Sequence, residues 1–294
     1  MVELRKAVIT AAGLGTRLLP SSKEIPKEMF PVYDLDEDGS ICVKPVMHKI
    51  FENLYDVGFR EFCMIVGRGK RSIEDHFTPD YLFSNMIRER GMKDKYRRML
   101  DFYEKIRSSN IFFINQPEPR GFGDAVLKAE GFVGNNYFLL HAGDDLVLSS
   151  RNKHLLKLLK AFEELGGEIL LLSERVEDPR QYGVIVPKPL SGYNDIFKII
   201  DIVEKPSKPP SNLAVIAIYI LSPKIFDALR RFEVREGEEL QLTWGLKLLI
   251  DSGYEAYAVL LGKDEKRLDV GSPQNYYKAL TESYEFCLRG AGLR

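Results

Sequence analysis

Short apolar runs alternate with helix-periodic segments along most of this chain, and that rhythm constrains its fold more than any other feature. Ala7–Ala12 is the first run, and Phe62–Val66, Ile111–Ile114, Tyr137–His141 and Glu168–Ser173 follow it. Runs of this length suit strands buried on both faces, and strands alternating with helices build an α/β sheet. Between the first two runs, Pro45–Val57 places Val46, Met47, Ile50, Phe51, Leu54 and Val57 on one helical face, with Gly58 where a helix C-terminus favours glycine. Lys153–Leu165 is a second such helix. Tyr81–Arg107 reads as a long charged helical insertion whose Lys93, Lys95, Arg97 and Arg98 form a solvated face.

After Ser173 the rhythm changes. Tyr182–Val203 carries turn residues and short β-like runs, Lys205–Asn212 is rich in Pro and Ser, and Ala214–Leu221 is again strand-like. No long polar linker divides the chain, so antiparallel strands are expected to extend the same sheet, and Gln274–Leu288 closes the chain as a helix. The expected architecture is one α/β domain over residues 1–294. Its mixed, mainly parallel Rossmann-like sheet is flanked by helices and carries an added antiparallel portion. The first half spans about 1–150, the second about 151–275, and the terminal helix about 274–294.

Charge and cysteine usage remove several function classes. The 42 Lys and Arg against 43 Asp and Glu give a net charge of −1, with no basic face for nucleic acid. Cys42, Cys63 and Cys287 are odd in number and widely spaced, which fits neither a disulfide framework nor a zinc site and points to reduced thiols in the cytoplasm. The longest uncharged apolar stretch, Leu213–Pro223, falls far short of the roughly 20 residues that span a bilayer.

Gly13-Leu14-Gly15-Thr16-Arg17 follows the first strand directly. Glycine there lets backbone N–H groups approach a phosphate. A dinucleotide-binding unit would want a third glycine at Leu18 and no Pro20, and no Gly-Lys-Ser or Gly-Lys-Thr follows as a P-loop requires. Arg17, Lys23 and Lys27 instead lie in a segment stiffened by Pro20, Pro26 and Pro31. Fixed cations beside a glycine turn suit the several charges of a triphosphate.

These residues, with Ile25-Pro26-Lys27-Glu28-Met29, resemble the bacterial-type UTP–glucose-1-phosphate uridylyltransferases among the sugar nucleotidyltransferases. Ser72–Phe77, Gln116 with Gly121–Ala125, Gly143-Asp144-Asp145, Tyr182-Gly183-Val184, Val203–Pro206, Ser211–Ala214 and Glu239–Thr243 occur in the family's order. The Lys-Glu-Met form and the insertion after Phe77 resemble the uridylyltransferase branch more than the thymidylyltransferase branch.

The resemblance implies the nucleotide-diphospho-sugar transferase fold, a nucleotide-binding first half and a sugar-phosphate-binding second half. It implies that UTP and glucose 1-phosphate give UDP-glucose and pyrophosphate, with Mg2+ as cofactor and no nucleic-acid or membrane partner. Arg17 and Lys27 would hold the triphosphate, and Ala12, Gly13, Gly15, Gln116 and Gly121 would surround the nucleotide. Lys205 would grip the sugar phosphate, Glu204 and Gly183 would meet the sugar, and Asp144 and Asp269 would hold the metal. Relatives are usually dimers or tetramers, so a homo-oligomer is expected, with the terminal helix as a contact.

Adjacent strand residues face opposite ways, so Glu204 and Lys205 can share a ligand only if the strand ends there, before Pro206. Asp145 reads as a turn or capping carboxylate, His141 as a hydrogen-bonded core histidine, and Asp34–Val43 as a lengthened surface loop. Trp244 departs from the family's usual Asp. Two other functions remain open at this stage: the same chemistry on dTTP or another sugar 1-phosphate, and a catalytically silent nucleotide-sensing subunit.

Overall fold

The computed structural model describes residues 4–36, 38–235 and 237–293. Its strands are β1 (Lys6–Ala11), β2 (Pro31–Leu35), β3 (Ile41–Pro45), β4 (Glu61–Val66), β5 (Asn110–Asn115), β6 (Phe138–Ala142), β7 (Asp145–Leu148), β8 (Ile169–Arg175), β9 (Gly183–Pro189), β10 (Ile196–Glu204), β11 (Leu213–Leu221), β12 (Ala256–Leu260) and β13 (Lys266–Asp269). Nine of them form one sheet in the order β5-β4-β1-β6-β11-β8-β12-β10-β9, and β7–β13 and β2–β3 make two small sheets.

The first half supplies a parallel block, with β1 between β4 and β6 and β5 outside β4. The second half adds β11 antiparallel to β6 and β8, and β10 antiparallel to β12 and β9. The expected α/β architecture, one sheet with an antiparallel extension, is thus the observed one. Alternation along β1 explains why its sequence is apolar throughout: Ala7, Ile9 and Ala11 join the core on one face, Val8 the core on the other.

The helices Val46–Asp56 and Lys153–Leu165 lie where periodicity put them, and Gly58, at φ 108°, takes the left-handed conformation that ends the first. The insertion departs from its expectation. It is two helices, Tyr81–Glu89 and Lys93–Arg107, separated where Gly91 adopts φ 74°. Lys93, Lys95 and Arg97 are exposed as expected, but Arg98 pairs with Asp36 and Asp38.

The segment Asp34–Val43 is not a plain surface loop either. It is the turn end of the antiparallel hairpin β2–β3, and Asp34 is buried between Lys44 and Lys49. Tyr33 packs on Tyr284 of the terminal helix Pro273–Gly290, with ring centroids 4.9 Å apart. Among the described residues, no helix is long and apolar enough to cross a membrane.

Candidate active site

Parallel strands place their C-terminal ends along one rim, where α/β sheets present ligand sites. At that rim the amide of Gly143, just past β6, donates to the Thr10 carbonyl of β1 at 2.8 Å. A Cβ at Gly143 would lie 2.8 Å from the same carbonyl, so the two strand ends close only because this residue is glycine. Between them opens a cleft of about 530 Å³, lined by Ala12, Gly13, Gly15, Arg17, Lys27, Gln116, Gly121 and Asp144.

Lys27 begins a short 3-10 turn after Pro26 and runs along the glycine loop to Asp144, whose Oδ2 accepts its ammonium at 2.5 Å. Its Nζ lies 3.9 Å from where a Gly13 Cβ would stand. Burial alone would lower the Lys27 ammonium, but Asp144, Glu28 and Asp269 outweigh it and hold it above its ordinary value. Burial likewise works to raise Asp144, and Lys27 prevails and depresses it. Both groups therefore stay charged inside the cleft. Next in the chain, Glu28 is buried against Lys70 at 2.8 Å.

Asp269 arrives from far along the chain by strand pairing. In the β7–β13 sheet Asp145 lies opposite Asp269, and the Val270 amide donates to the Asp144 carbonyl at 3.2 Å. The Asp269 carboxylate accepts from the Gly271 amide and the Asn275 side chain, each at 2.7 Å. A Cβ at Gly271 would sit 2.8 Å from both an Asp269 oxygen and Arg17 Nη2. Arg17, Lys27, Asp144 and Asp269 therefore converge on one corner. Among the described residues no three His, Cys, Asp or Glu side chains cluster as metal ligands. Asp144 and Asp269 supply the carboxylate pair there, and hard oxygen donors of this kind suit a cation that keeps several waters.

Asp145 is not the expected turn or capping group. As the first residue of β7 it is buried, and it accepts from Arg267 Nε at 2.7 Å and the Ala217 amide at 3.2 Å. Burial pushes the Asp145 carboxyl up and Arg267 works against that. Arg267 also reaches Glu174 at 3.2 Å and lies 5.0 Å from the Tyr182 ring centroid. Sequence reasoning missed this arginine, although Arg267 and Asp269, two apart on a strand, share a face.

Outside the lining of that cleft, β10 ends at Glu204 and Lys205 turns into the left-handed region at φ 40°. That break lets consecutive residues face one region, as the sequence required. Lys205 Nζ lies 3.6 Å from Glu204 Oε1, and its amide donates to the Tyr182 carbonyl at 3.0 Å. Glu204 pairs across the sheet with Gly183, where a Cβ would come 3.5 Å from the Glu204 carboxylate. Thr243 donates to that carboxylate at 2.6 Å, a contact the sequence reading missed. Its neighbour Trp244 instead packs against Phe232, with centroids 5.7 Å apart. The Tyr219 ring is 6.5 Å from Phe122 in the cleft, and burial, with Glu204 and Asp145 nearby, pushes its hydroxyl pKa up.

Gln116 is 4% exposed, and its amide nitrogen donates to Gly121 O at 3.2 Å and to Asp124 Oδ2 at 2.7 Å. Both hydrogens of that amide are thus already engaged. Gly121, at φ 103°, is packed so closely on the 239–240 segment that a Cβ would lie 2.6 Å from Leu240 O. This close approach places Glu239 at the cleft. His141 is the core histidine expected: it is buried, bonded to Ala142 O at 2.8 Å, and held down at about 4 by burial. A larger cavity of about 740 Å³ lies beside the insertion helices, lined by His48, His76 and Phe102. Its Lys44 and Lys105 are both spent on Glu52, and the glycine loop is not part of its wall.

The family model for nucleotidyl transferases matches residues 6–285. The chain belongs to the nucleotidyl transferase family. This nucleotidyltransferase is 36% identical over 282 residues to the UTP–glucose-1-phosphate uridylyltransferase of Mycoplasma pneumoniae, covering 95% of this chain and 92% of that one. It is also 36% identical over 283 residues to the UTP–glucose-1-phosphate uridylyltransferase YngB of Bacillus subtilis, covering 95% and 89%. A solved UDP-glucose pyrophosphorylase complexed with UDP-glucose superposes with a TM-score of 0.80 at 30% identity, over 96% of this chain and 99% of that chain. The sequence and the structure of this nucleotidyltransferase are thus similar to one group of enzymes.

Proposed function

We propose that the protein converts UTP and glucose 1-phosphate to UDP-glucose and pyrophosphate. The names its relatives carry support this reading. The observation that carries it is the Lys27–Asp144 pair, set at 2.5 Å over a glycine turn at the end of a parallel sheet. An oxygen of the sugar phosphate attacks the α-phosphorus, a new P–O bond forms, and the bond to the β-phosphate oxygen breaks to release pyrophosphate. The attacking oxygen is already anionic, so the chain needs no nucleophilic side chain or general base. What it must supply is alignment of two anions that repel, and stabilisation of the departing charge.

Arg17 and Lys27 hold the β- and γ-phosphates, Gly13 and Gly15 give them backbone N–H groups, and Ala12, Gln116 and Gly121 enclose the base. Lys205 grips the sugar phosphate, while Glu204 and the Gly183 backbone meet the sugar hydroxyls. Asp144 and Asp269 would hold Mg2+, which when bound supplies Lewis-acid charge to phosphate oxygens. In our reading the parallel block is the nucleotide-binding half of a single domain and the antiparallel extension the sugar-phosphate half. Three free thiols favour a cytoplasmic setting, and the exposed Tyr277 and Tyr284 of the terminal helix favour a homo-oligomer.

Mixing the protein with UTP, glucose 1-phosphate and Mg2+ should release pyrophosphate and form UDP-glucose. A clean preparation that releases none with any nucleotide and sugar phosphate overturns the reading and leaves a nucleotide-sensing role. The presence of Arg17, Lys27, Asp144, Lys205 and Asp269 together weighs against such a silent subunit. dTTP is the second nucleotide to test, because thymine presents Gln116 with the same N3–H as uracil.

A further inference from the structure

We propose that Asp124 sets the base selectivity of this site by fixing which edge of Gln116 faces the cleft. The inference rests on the assignment of a pyrimidine triphosphate as substrate. Gln116 follows β5, and its backbone is anchored by donation to the Val66 carbonyl at 2.7 Å. Its side-chain nitrogen has two hydrogens, and both are aimed at groups that only accept, Asp124 Oδ2 at 2.7 Å and Gly121 O at 3.2 Å. Turning the amide over would set its oxygen against those two oxygens in a site where Gln116 is 4% and Asp124 9% exposed. Asp124 itself is held from the far side by Lys128, 3.3 Å from its other oxygen.

The amide therefore offers the cleft its carbonyl oxygen and no donor. An acceptor edge matches the N3–H of uracil and of thymine. Against cytosine it faces the N3 lone pair, an acceptor set against an acceptor. A site that must satisfy a buried polar group rejects the wrong partner far more strongly than one that measures an extra methyl. Asp124 does not line the cleft, so it acts through Gln116 as a positioning residue.

The test compares kcat/KM for UTP, 5-methyl-UTP, CTP and N3-methyl-UTP with glucose 1-phosphate. The native enzyme should use 5-methyl-UTP within about tenfold of UTP, and should lose on the order of a hundredfold with CTP and with N3-methyl-UTP. Asp124→Asn gives Gln116 a neighbour that can donate as well as accept, which frees the amide to turn. The CTP-to-UTP ratio should then rise by about tenfold, carried by KM, with kcat for UTP little changed.

A merely structural role would lower both nucleotides in proportion, and that result overturns the inference. So does native enzyme that uses N3-methyl-UTP as well as UTP, a comparison that decides the matter even if the variant fails to fold. No pyrophosphate from any nucleotide would instead remove the parent reading.

Discussion

The glycine-lined cleft and the end of β10 are built from opposite materials. At the cleft, strand ends meet through glycines, and the central cation, Lys27, is 15% exposed and already tied to Asp144. At the end of β10, Lys205 is 60% exposed and shares only a loose 3.6 Å approach to Glu204. A triphosphate and its metal bring much charge to one place, and a site for them must hold its own charges in advance, paired, or pay for burying them alone. A single sugar phosphate asks for one cation that can move onto it. The Asp145–Arg267–Glu174 seam joins β7, β13 and β8.

If the seam supports both regions, Arg267→Met should have the largest effect, because it leaves the buried Asp145 and the half-buried Glu174 carboxylates without their cation. Loss of one partner from such a pair costs about 3–5 kcal/mol, to be read from urea denaturation. A loss below about 1 kcal/mol, the range of surface pairs, would show that the seam is not structural. Lys27→Met should lower kcat by tenfold to a thousandfold, roughly 1.4 to 4 kcal/mol of barrier. Steady-state rates at native values would place the chemistry elsewhere.

Lys205→Met should raise KM for glucose 1-phosphate roughly tenfold, about 1.4 kcal/mol, and leave KM for UTP nearly unchanged. Equal effects on both substrates would erase the distinction between the two regions.

A smaller, pH-linked effect belongs to two buried histidines, His76 beside the insertion helices and His141 in β6. Burial holds His76 at about 3 and His141 at about 4, below their ordinary 6.5. The unfolded chain then binds protons that the folded chain refuses, so stability falls as pH drops below 6.5 and levels off near the folded values. Each such histidine removes under about 1 kcal/mol between pH 7 and pH 6. Thermal midpoints that stay flat or rise over that interval would contradict their buried, neutral state.

Which parts were legible in the sequence follows from which forces act locally. The strands of the parallel block are buried on both faces, so their apolar runs stand out. The glycine loop and Asp144 lie at strand ends that those runs locate. Lys205 was named through the resemblance of Val203–Pro206 to the family pattern, and Pro206 pointed to the break after Glu204 that the backbone shows. Arg267, Thr243 and Tyr219 were not legible, because their partners Asp145, Glu204 and Phe122 become neighbours only through the register of β11 and β13 and the packing of the helix Leu242–Asp251. The hairpin β2–β3 was read as a loop because Asp34, a residue that suggests solvent, is buried with two lysines. The break in the insertion depended on one glycine, Gly91, taking φ 74° inside an otherwise continuous helical pattern.

The central claim is that one cleft gathers both anions, with the metal corner between them. A crystal structure with UDP-glucose and Mg2+ tests it most directly. The account predicts the uracil beside Gln116 and Gly121, the diphosphate between Arg17 and Lys205, Mg2+ on Asp144 and Asp269, and the glucose against Glu204 and Gly183. Nucleotide density in the cavity beside His48 and Phe102, with the glycine cleft empty, would contradict it.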